Sequence, residues 1–407
     1  FEENELKIQS GIISRNEMDI PVRRIQDIDT NKNIIQRLIG ITEVKIKTAG
    51  GDTSKASLKY LEDKQAEKVR EQIRQLKNRR ETGLEKSVED SSFYEIGDSL
   101  ITYSLVKNLD AVATVLLLGF MAGTGYSAYT ASSTLEMTGL IFATLVGTIL
   151  LGALTLITGF ITQYMKFYDF RVERHGDIFE YEKGLLNKKG GSVPEEKIQK
   201  LEITENVLMR YLGYASLKAE TAGHESEEEL GLTSTKIIIP LDSQEKVYEH
   251  AQRIGGLEAG EMNNISSRAQ RRYYRRYNMI SGLMALITAP LIYTGFHPLI
   301  LIIPFTGFLA AKKASKKKWK NIGYSLNDES LLITKGYWNR KTYALEYFRF
   351  QNLLVKESLY QRRWGMASII LDTAGDKVIN PRIVDLDREK AYQLREKLHT
   401  RFKESIY

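Results

Sequence analysis

Polar residues recur three times along the chain at fixed spacing, and their types could build a ligand site. Each set starts from a Gln, has an Arg eleven residues on and a Gly fourteen residues on, and closes with a Thr-Ala-Gly tripeptide that begins twenty-two residues on. Glutamine amides, guanidinium groups and hydroxyls are strong hydrogen-bonding groups. The repeated residues are Gln26, Arg37, Gly40 and Thr48, then Gln199, Arg210, Gly213 and Thr221, then Gln351, Arg362, Gly365 and Thr373.

A structural role for the same residues is the interpretation we favour, because three copies with different surroundings keep them. Gly before a strand permits a sharp entry, Thr-Ala-Gly can close a strand and start a turn, and Gln and Arg can bond loop backbone within each copy. Arg15, Lys188 and Arg340 lie eleven residues before the Gln, where we expect a hairpin turn and a solvated side chain.

Several classes of chemistry are excluded by what the sequence lacks. There is no cysteine, no phosphate-binding Gly-x-x-x-x-Gly-Lys-Ser/Thr loop, no His-Glu-x-x-His and no Gly-x-Ser-x-Gly. Glu136 and His297 are the acidic or basic residues within the membrane-like stretches 111–165 and 279–311, and both fall in predicted links. We therefore predict no catalytic residue, no metal site, no cofactor and no nucleic-acid partner.

Strands and one helix are predicted in each copy. Apolar and polar residues alternate before each Thr-Ala-Gly, as in strands. Hairpin patterns occupy residues 6–22 and 331–348. Amphipathic helices are predicted over 62–76, 243–254 and 387–398. Each copy is then a small antiparallel sheet or barrel with a helix over its open end.

Apolar segments interrupt this polar chain. Residues 111–129 and 138–165 are each long enough to cross a bilayer of roughly 30 Å. Residues 279–311 are too long for one straight span, so we expect two short spans broken at 295–298 and kinked at Pro290 and Pro304. A re-entrant hairpin remains the alternative.

Basic clusters flank the last apolar segment on both sides, which predicts that both its ends, and all three copies, face the cytoplasm. One interpretation is that these residues only set topology; a second, compatible one is that they also hold anionic lipid headgroups. The candidate headgroup residues are Arg268, Arg271, Arg272, Arg275, Arg276, Lys312, Lys313, Lys316, Lys317 and Lys318.

A family resemblance follows from these motifs. Ile20-Pro21, Arg24-Ile25-Gln26 and Thr48-Ala49-Gly50, with their recurrences near Gln199 and Gln351, resemble the bacterial pleckstrin-homology (PH)-like domain of the YdbS/YdbT-type membrane proteins. The resemblance covers nearly the whole chain, with three domains and the hairpins between them, as in the larger YdbT-like members. The third copy departs most, because it lacks the Pro and has Phe350 in place of Ile.

The resemblance implies a fold, a partner and a role. It implies an α+β membrane protein with three PH-like domains, each a bent antiparallel near-barrel with a C-terminal helix, linked by transmembrane helical hairpins. It also implies a smaller, single-domain YdbS-like partner, and a role in tolerance of antimicrobial peptides such as bacteriocins. The first copy begins close to its second strand, so we expect more chain upstream, including another membrane hairpin.

The predicted organisation is therefore three modules and two hairpins in a multi-pass protein of the cell membrane. The segments are a first PH-like domain at 1–80, a linker with an amphipathic part at 81–108, a transmembrane hairpin at 109–166, a second PH-like domain at 167–256, a basic linker at 257–277, a transmembrane or re-entrant hairpin at 278–311, and a third PH-like domain at 312–407. The favoured function is a non-enzymatic scaffold that binds anionic lipid and a partner membrane protein. A transporter or exporter of peptide or lipid, and a lipid-sensing regulatory module, are the alternatives.

Overall fold

The computed structural model describes residues 5–10, 16–21, 25–48, 55–81, 91–130, 133–221, 235–255, 262–293, 302–374 and 381–406. The chain divides into two compact units, one made of Phe1–Ile101 and Thr162–Ile198, the other of Thr102–Ile161 and Gln199–Tyr407. The second repeat copy is therefore shared, with its leading strands in the first unit and its trailing strands in the second.

The first unit holds two antiparallel sheets. Strands β1 and β2 form a two-stranded sheet, and seven strands form a second sheet in the order β5-β4-β3-β9-β8-β7-β6. The core of the first copy is built from alternate strand residues such as Leu6, Ile20, Val44 and Ile46, on which Ala66 of α2 packs. The elements are β1 (Glu5–Ser10), β2 (Asn16–Pro21), β3 (Ile25–Lys32), α1 (Ile34–Ile39), β4 (Ile41–Thr48), β5 (Lys55–Glu62), α2 (Asp63–Glu81), β6 (Ser91–Glu95), and, further along the chain, β7 (Arg171–His175), β8 (Ile178–Lys183) and β9 (Lys188–Pro194).

Two long apolar helices lie between β6 and β7. They are α3 (Ser99–Thr130) and α4 (Thr134–Phe167), and within them Ser99–Phe120 and Thr138–Phe167 are long and apolar enough to cross a membrane. α3 begins before the predicted span at 111, because Leu100, Tyr103 and Val106 add a buried face to its start. Glu136 lies in the first turn of α4 rather than in the link, where the prediction placed it.

The second unit also contains two sheets. Seven strands run in the order β12-β11-β10-β16-β15-β14-β13, and three run in the order β17-β18-β19. Leu331 and Tyr343 from the first sheet, Ile369 from the second and Ala391 of α10 belong to one buried core. The elements are β10 (Ile198–Asn206), α5 (Val207–Leu212), β11 (Tyr214–Thr221), β12 (Thr235–Ser243), α6 (Gln244–Gly255), β13 (Asn263–Asn264), α7 (Ser267–Tyr293), α8 (Ile302–Lys320), β14 (Gly323–Leu326), β15 (Ser330–Lys335), β16 (Asn339–Glu346), β17 (Phe350–Lys356), α9 (Leu359–Arg363), β18 (Met366–Thr373), β19 (Arg382–Asp387) and α10 (Arg388–Ile406).

The predicted strands and helices of the repeat are confirmed. β4, β11 and β18 end at the Thr of each Thr-Ala-Gly, and α2, α6 and α10 cover the three predicted amphipathic helices. Most of the Ala-Gly positions that follow lie outside the described residues, as do His297 and the predicted break at 295–298.

Three short helices were not predicted from the sequence. α1, α5 and α9 each lie between the strand that holds the repeat Gln and the strand that ends in Thr. The Asn33 side chain caps α1 in a capping box with Gln36. The repeat glycines Gly40 and Gly213 end α1 and α5 in the left-handed region, with φ of +74° and +76°, where a side chain is strained.

Candidate functional site

Each seven-stranded sheet joins the trailing strands of one copy to the leading strands of the next. β3 pairs with β9, with Thr30 opposite Gly190. β10 pairs with β16, with Ile203 opposite Thr342. Thr30 and Ile203 each lie four residues after the repeat Gln of their own copy. Gly190 and Thr342 each lie nine residues before the repeat Gln of the next copy. Both junctions therefore share one antiparallel register. Because register is specified by side-chain pattern and turn geometry, the repeated residues must encode this junction.

The repeated Arg contributes to each junction. The guanidinium of Arg37 donates to the backbone carbonyl of Leu185 at 2.9 Å, and that of Arg210 donates to the carbonyl of Tyr337. Arg210 also lies 5.5 Å from the centre of the Tyr337 ring. The prediction that Arg bonds backbone is confirmed, but the prediction that it does so inside its own copy is wrong. The acceptor lies in the hairpin turn of the next copy, because the sheet brings that turn beside the short helix.

Glycine is required just before each acceptor carbonyl. Gly184 and Gly336 have φ of +110° and +90°. A Cβ at either position would lie 2.1 Å from a backbone oxygen, that of Asn187 or Asn339. Any side chain would therefore break the turn that presents the carbonyl to the Arg.

Lys188 and Arg340, the basic residues of the second and third hairpins, are in strands and not in the turns, which corrects the prediction for these two residues. Arg340 makes two hydrogen bonds of 2.7 Å to the carboxylate of Glu205 in the preceding copy, and these bonds raise the pKa of the guanidinium. Glu205 is fully buried, so this pair is not a solvated charge. Lys188 lies 3.3 Å from Glu182, and Arg15 lies outside the described residues.

Among the remaining repeat residues, those whose side chains the structure describes do not converge on a common pocket. Gln199 is buried, whereas Gln351 is exposed. Thr221 and Thr373 are buried where their strands end. The repeat motif therefore marks the junction between copies rather than a site for a small ligand.

The predicted headgroup residues fall into two groups. The first group has four members: three contact residues of the third copy, and the fourth, Lys318, lies over a ring of α7. Arg268 donates to the carbonyl of Trp364 at 2.9 Å, and Arg272 pairs with Asp385 at 2.6 Å. The other two lie over aromatic rings: Arg275 is 4.5 Å from the centre of the Trp364 ring and Lys318 is 4.6 Å from that of Tyr273.

The other six predicted headgroup residues are exposed and form what we call the basic band. None of the six has a salt bridge in the part of the chain that the structure describes. A Cβ at Gly307 would lie 2.6 Å from Oγ of Ser281, so α7 and α8 are in close contact at this level. The band lies on both helices, at similar distances from this contact. Its members are Arg271, Arg276, Lys312, Lys313, Lys316 and Lys317.

Beyond the basic band, α7 and α8 expose large apolar side chains. Met279, Leu283 and Leu286 on α7 are 58–71% exposed, and Phe305 and Leu309 on α8 are 62% and 65% exposed. α7 and α8 are not among the described helices that are long and apolar enough to span a bilayer. An apolar end beside a cationic band is the arrangement of a segment that lies at a membrane interface.

A cavity of about 200 Å³ lies at the junction of the second and third copies, beside the start of α3. Three lysines line it: Lys107, Lys218 and Lys341. Burial and the charge of Lys107 lower the pKa of Lys218. Lys341 pairs with Glu202 at 2.7 Å. The cavity can therefore accept an anionic group, which would offset the repulsion among the lysines.

The described residues contain no cluster of His, Cys, Asp and Glu that could hold a metal ion. The chemistry that the arrangement offers is recognition by charge, hydrogen bonds and strand pairing.

Comparison with known proteins places these features in a family. A family model described as "Bacterial PH domain" matches residues 1–77, 113–253 and 284–401. The chain is 23% identical over 410 residues to the UPF0699 transmembrane protein YdbT of Bacillus subtilis (strain 168), an alignment that covers 91% of this chain and 78% of that relative. No solved structure matches.

Proposed function

This chain belongs to the bacterial PH domain family, and from that premise we propose that it is a non-enzymatic membrane scaffold. Its PH-like copies lie on the cytoplasmic face of the cell membrane, with α3 and α4 as the anchor. The α7–α8 pair rests on the same face and binds anionic lipid headgroups. The observation that carries the proposal is the basic band, six exposed cations that form no salt bridge with any described residue, next to an exposed apolar helix end.

Electrostatics supports the choice of anionic lipid. Each Lys or Arg near an anionic membrane surface contributes about 1 kcal/mol, so six such groups give a strong preference over zwitterionic lipid. Arg268 and Arg272 are already used by the third copy, and they fix α7 relative to that copy. The band is thus presented on a rigid support rather than on a loose tail.

The test is lipid retention by the purified full-length protein. We expect the protein, extracted in mild detergent from membranes of mixed composition, to retain phosphatidylglycerol at least several-fold over phosphatidylethanolamine in native mass spectrometry. Changing Lys312, Lys313 and Lys316 to Gln should abolish most of that preference, since it removes three charges that each contribute about 1 kcal/mol. Changing Lys390, Arg395 and Lys397 to Gln removes the same charge from exposed positions on α10 and is the matched control. Equal loss in both variants, or no loss in either, would contradict headgroup binding.

The wider role that we propose is envelope protection, including tolerance of membrane-active peptides, with a small single-domain PH-like membrane protein as a partner. It is supported by the family resemblance. The same two variants, expressed in cells that lack the protein, test it. The α8 variant should leave the cells as sensitive to bacteriocin as the empty vector, and the α10 variant should restore growth.

A further inference from the structure

The chain carries a third junction surface that no part of the described chain covers. At the two filled junctions, an acceptor strand (β3 or β10) pairs with a donor strand (β9 or β16) in one shared register. In the third copy the acceptor strand is β17, and it is the edge of a three-stranded sheet.

The third copy has the same acceptor features as the first two: an acceptor strand, a capped short helix and the repeat Arg. Leu354 on β17 is 56% exposed and Leu359 on α9 is 86% exposed. α9 is capped by a capping box between Ser358 and Gln361. Arg362 has the repeat position of the two Arg residues that donate to hairpin carbonyls, and its side chain is exposed. An exposed edge of this kind is a template for pairing with another strand.

The chain also carries an unused donor. β9 and β16 each pair with a strand on both sides, whereas β2, the equivalent strand of the first copy, pairs with β1 alone among the described residues. Among the described residues, the β1–β2 donor hairpin and the β17 acceptor edge are thus the two junction surfaces without a paired strand.

We propose that the β1–β2 hairpin of a second copy of this chain lies on β17 and extends its sheet. The register of the filled junctions places Met18 of the second copy opposite Leu354 and Asn16 opposite Lys356. The proposed pairing would give Arg362 the role that Arg37 and Arg210 have at the filled junctions. The contact is an addition of strands to a sheet edge, in which main-chain hydrogen bonds supply affinity and side chains supply register.

A contact of this kind is heterologous, because different surfaces of the two copies meet. Each added copy brings a new free edge, so the assembly grows head to tail until a ring closes or a filament forms. The inference is independent of lipid binding, since β17 and the basic band share no residue. Loss of one would leave the other intact.

The first experiment measures the mass of the full-length protein in mild detergent. We expect species of two or more copies at about 10 μM. The double variant Leu354→Lys with Arg362→Glu should be a single chain, because a lysine and a reversed charge at the edge oppose strand addition. The double variant Phe348→Lys with Arg395→Glu changes exposed positions outside β17 and α9 and should assemble as the unchanged protein does. A single chain for the unchanged protein would overturn the proposal.

The second experiment fixes the register, and it uses a chain that has no natural cysteine. One tagged copy carries Met18→Cys and a differently tagged copy carries Leu354→Cys. On mild oxidation the mixture should give a disulfide between the two tags, whereas Met18→Cys with Phe348→Cys should give none. A third sample is a single chain that carries both Met18→Cys and Leu354→Cys. If a disulfide forms within that chain but not between the two tagged copies, the proposal is overturned. Co-purification of a different PH-like chain that blocks Leu354→Cys, with no self-association, would overturn the choice of a second copy as the occupant.

Discussion

At Lys335 a half-buried ammonium couples the stability of the third copy to pH. Burial, and next the charges of Lys341 and Arg382, lower the pKa of Lys335 from 10.5 to about 8, although its ammonium lies 4.4 Å from the centre of the Tyr343 ring. The unfolded chain holds this proton up to about pH 10.5. Below pH 8 both states are protonated and the native state carries the full cost of the buried charge. As pH rises from 8 to 10.5, the native state loses the proton and the cost disappears.

We therefore expect Lys335→Met to stabilise the protein by about 1–2 kcal/mol at pH 7, a figure discounted for the exposed part of the side chain and for the lost ring contact. The advantage should shrink towards zero at pH 10. Denaturant unfolding in detergent at the two pH values measures it, and Lys390→Met at an exposed position controls for the loss of one charge. An advantage of equal size at both pH values would contradict the pKa argument.

The sequence was enough to find which residues recur, but not what they bind. Arg37 and Arg210 were identified by spacing, yet their acceptors lie about 130 to 150 residues away in the next copy. A local sequence pattern does not indicate which strands pair across that distance, because strand pairing depends on the packing of the whole sheet. Arg340 was misplaced for the same reason, since its carboxylate partner Glu205 is known only once β10 and β16 are side by side.

At the scale of elements, the packing of α3 on α4 depends on glycine. A Cβ at Gly123 would lie 1.9 Å from Cγ2 of Thr144, whereas a Cβ at Gly147 would meet nothing within 4 Å. Gly123→Ala should therefore lower the stability of the helix pair by about 1–3 kcal/mol. Gly147→Ala should be neutral or stabilising, because alanine is the better helix former. Thermal unfolding of the two variants in detergent compares them, and an equal effect would show that Gly123 is not a contact point.

The long elements were predictable and the short ones were not. Helices such as α2 and α10 repeat their apolar residues over several turns, so a period is visible in the sequence. α1, α5 and α9 have five or six residues, too few for a period. The sequence feature that could have indicated α1 and α9 is the capping box, in which Asn33 and Ser358 each lie three residues before a Gln.

At the scale of the whole molecule, the basic flanks predict that the PH-like copies face the cytoplasm and that the α3–α4 link faces outwards. The absence of natural cysteine allows a direct test with single introduced cysteines and a maleimide that does not cross membranes. Ser133→Cys, in the link, should react in intact cells. Glu196→Cys and Lys390→Cys, exposed in the second and third copies, should react only after the membrane is opened. Reaction of Glu196→Cys in intact cells would reverse the predicted orientation.

The pairing of β3 with β9 sets an order for biogenesis. β9 leaves the ribosome about 160 residues after β3, and both candidate membrane helices are made in between. At the usual rate of roughly 5–20 residues per second, the edge of β3 waits about 10–30 s for its partner. In the proposed topology, the nascent chain delivers α3 and α4 to the membrane during that time, while the sheet in the cytosol is unfinished. This sheet can therefore be completed only after the α3–α4 hairpin has been synthesised. A delay in insertion would leave the edge of β3 free to pair with a wrong strand.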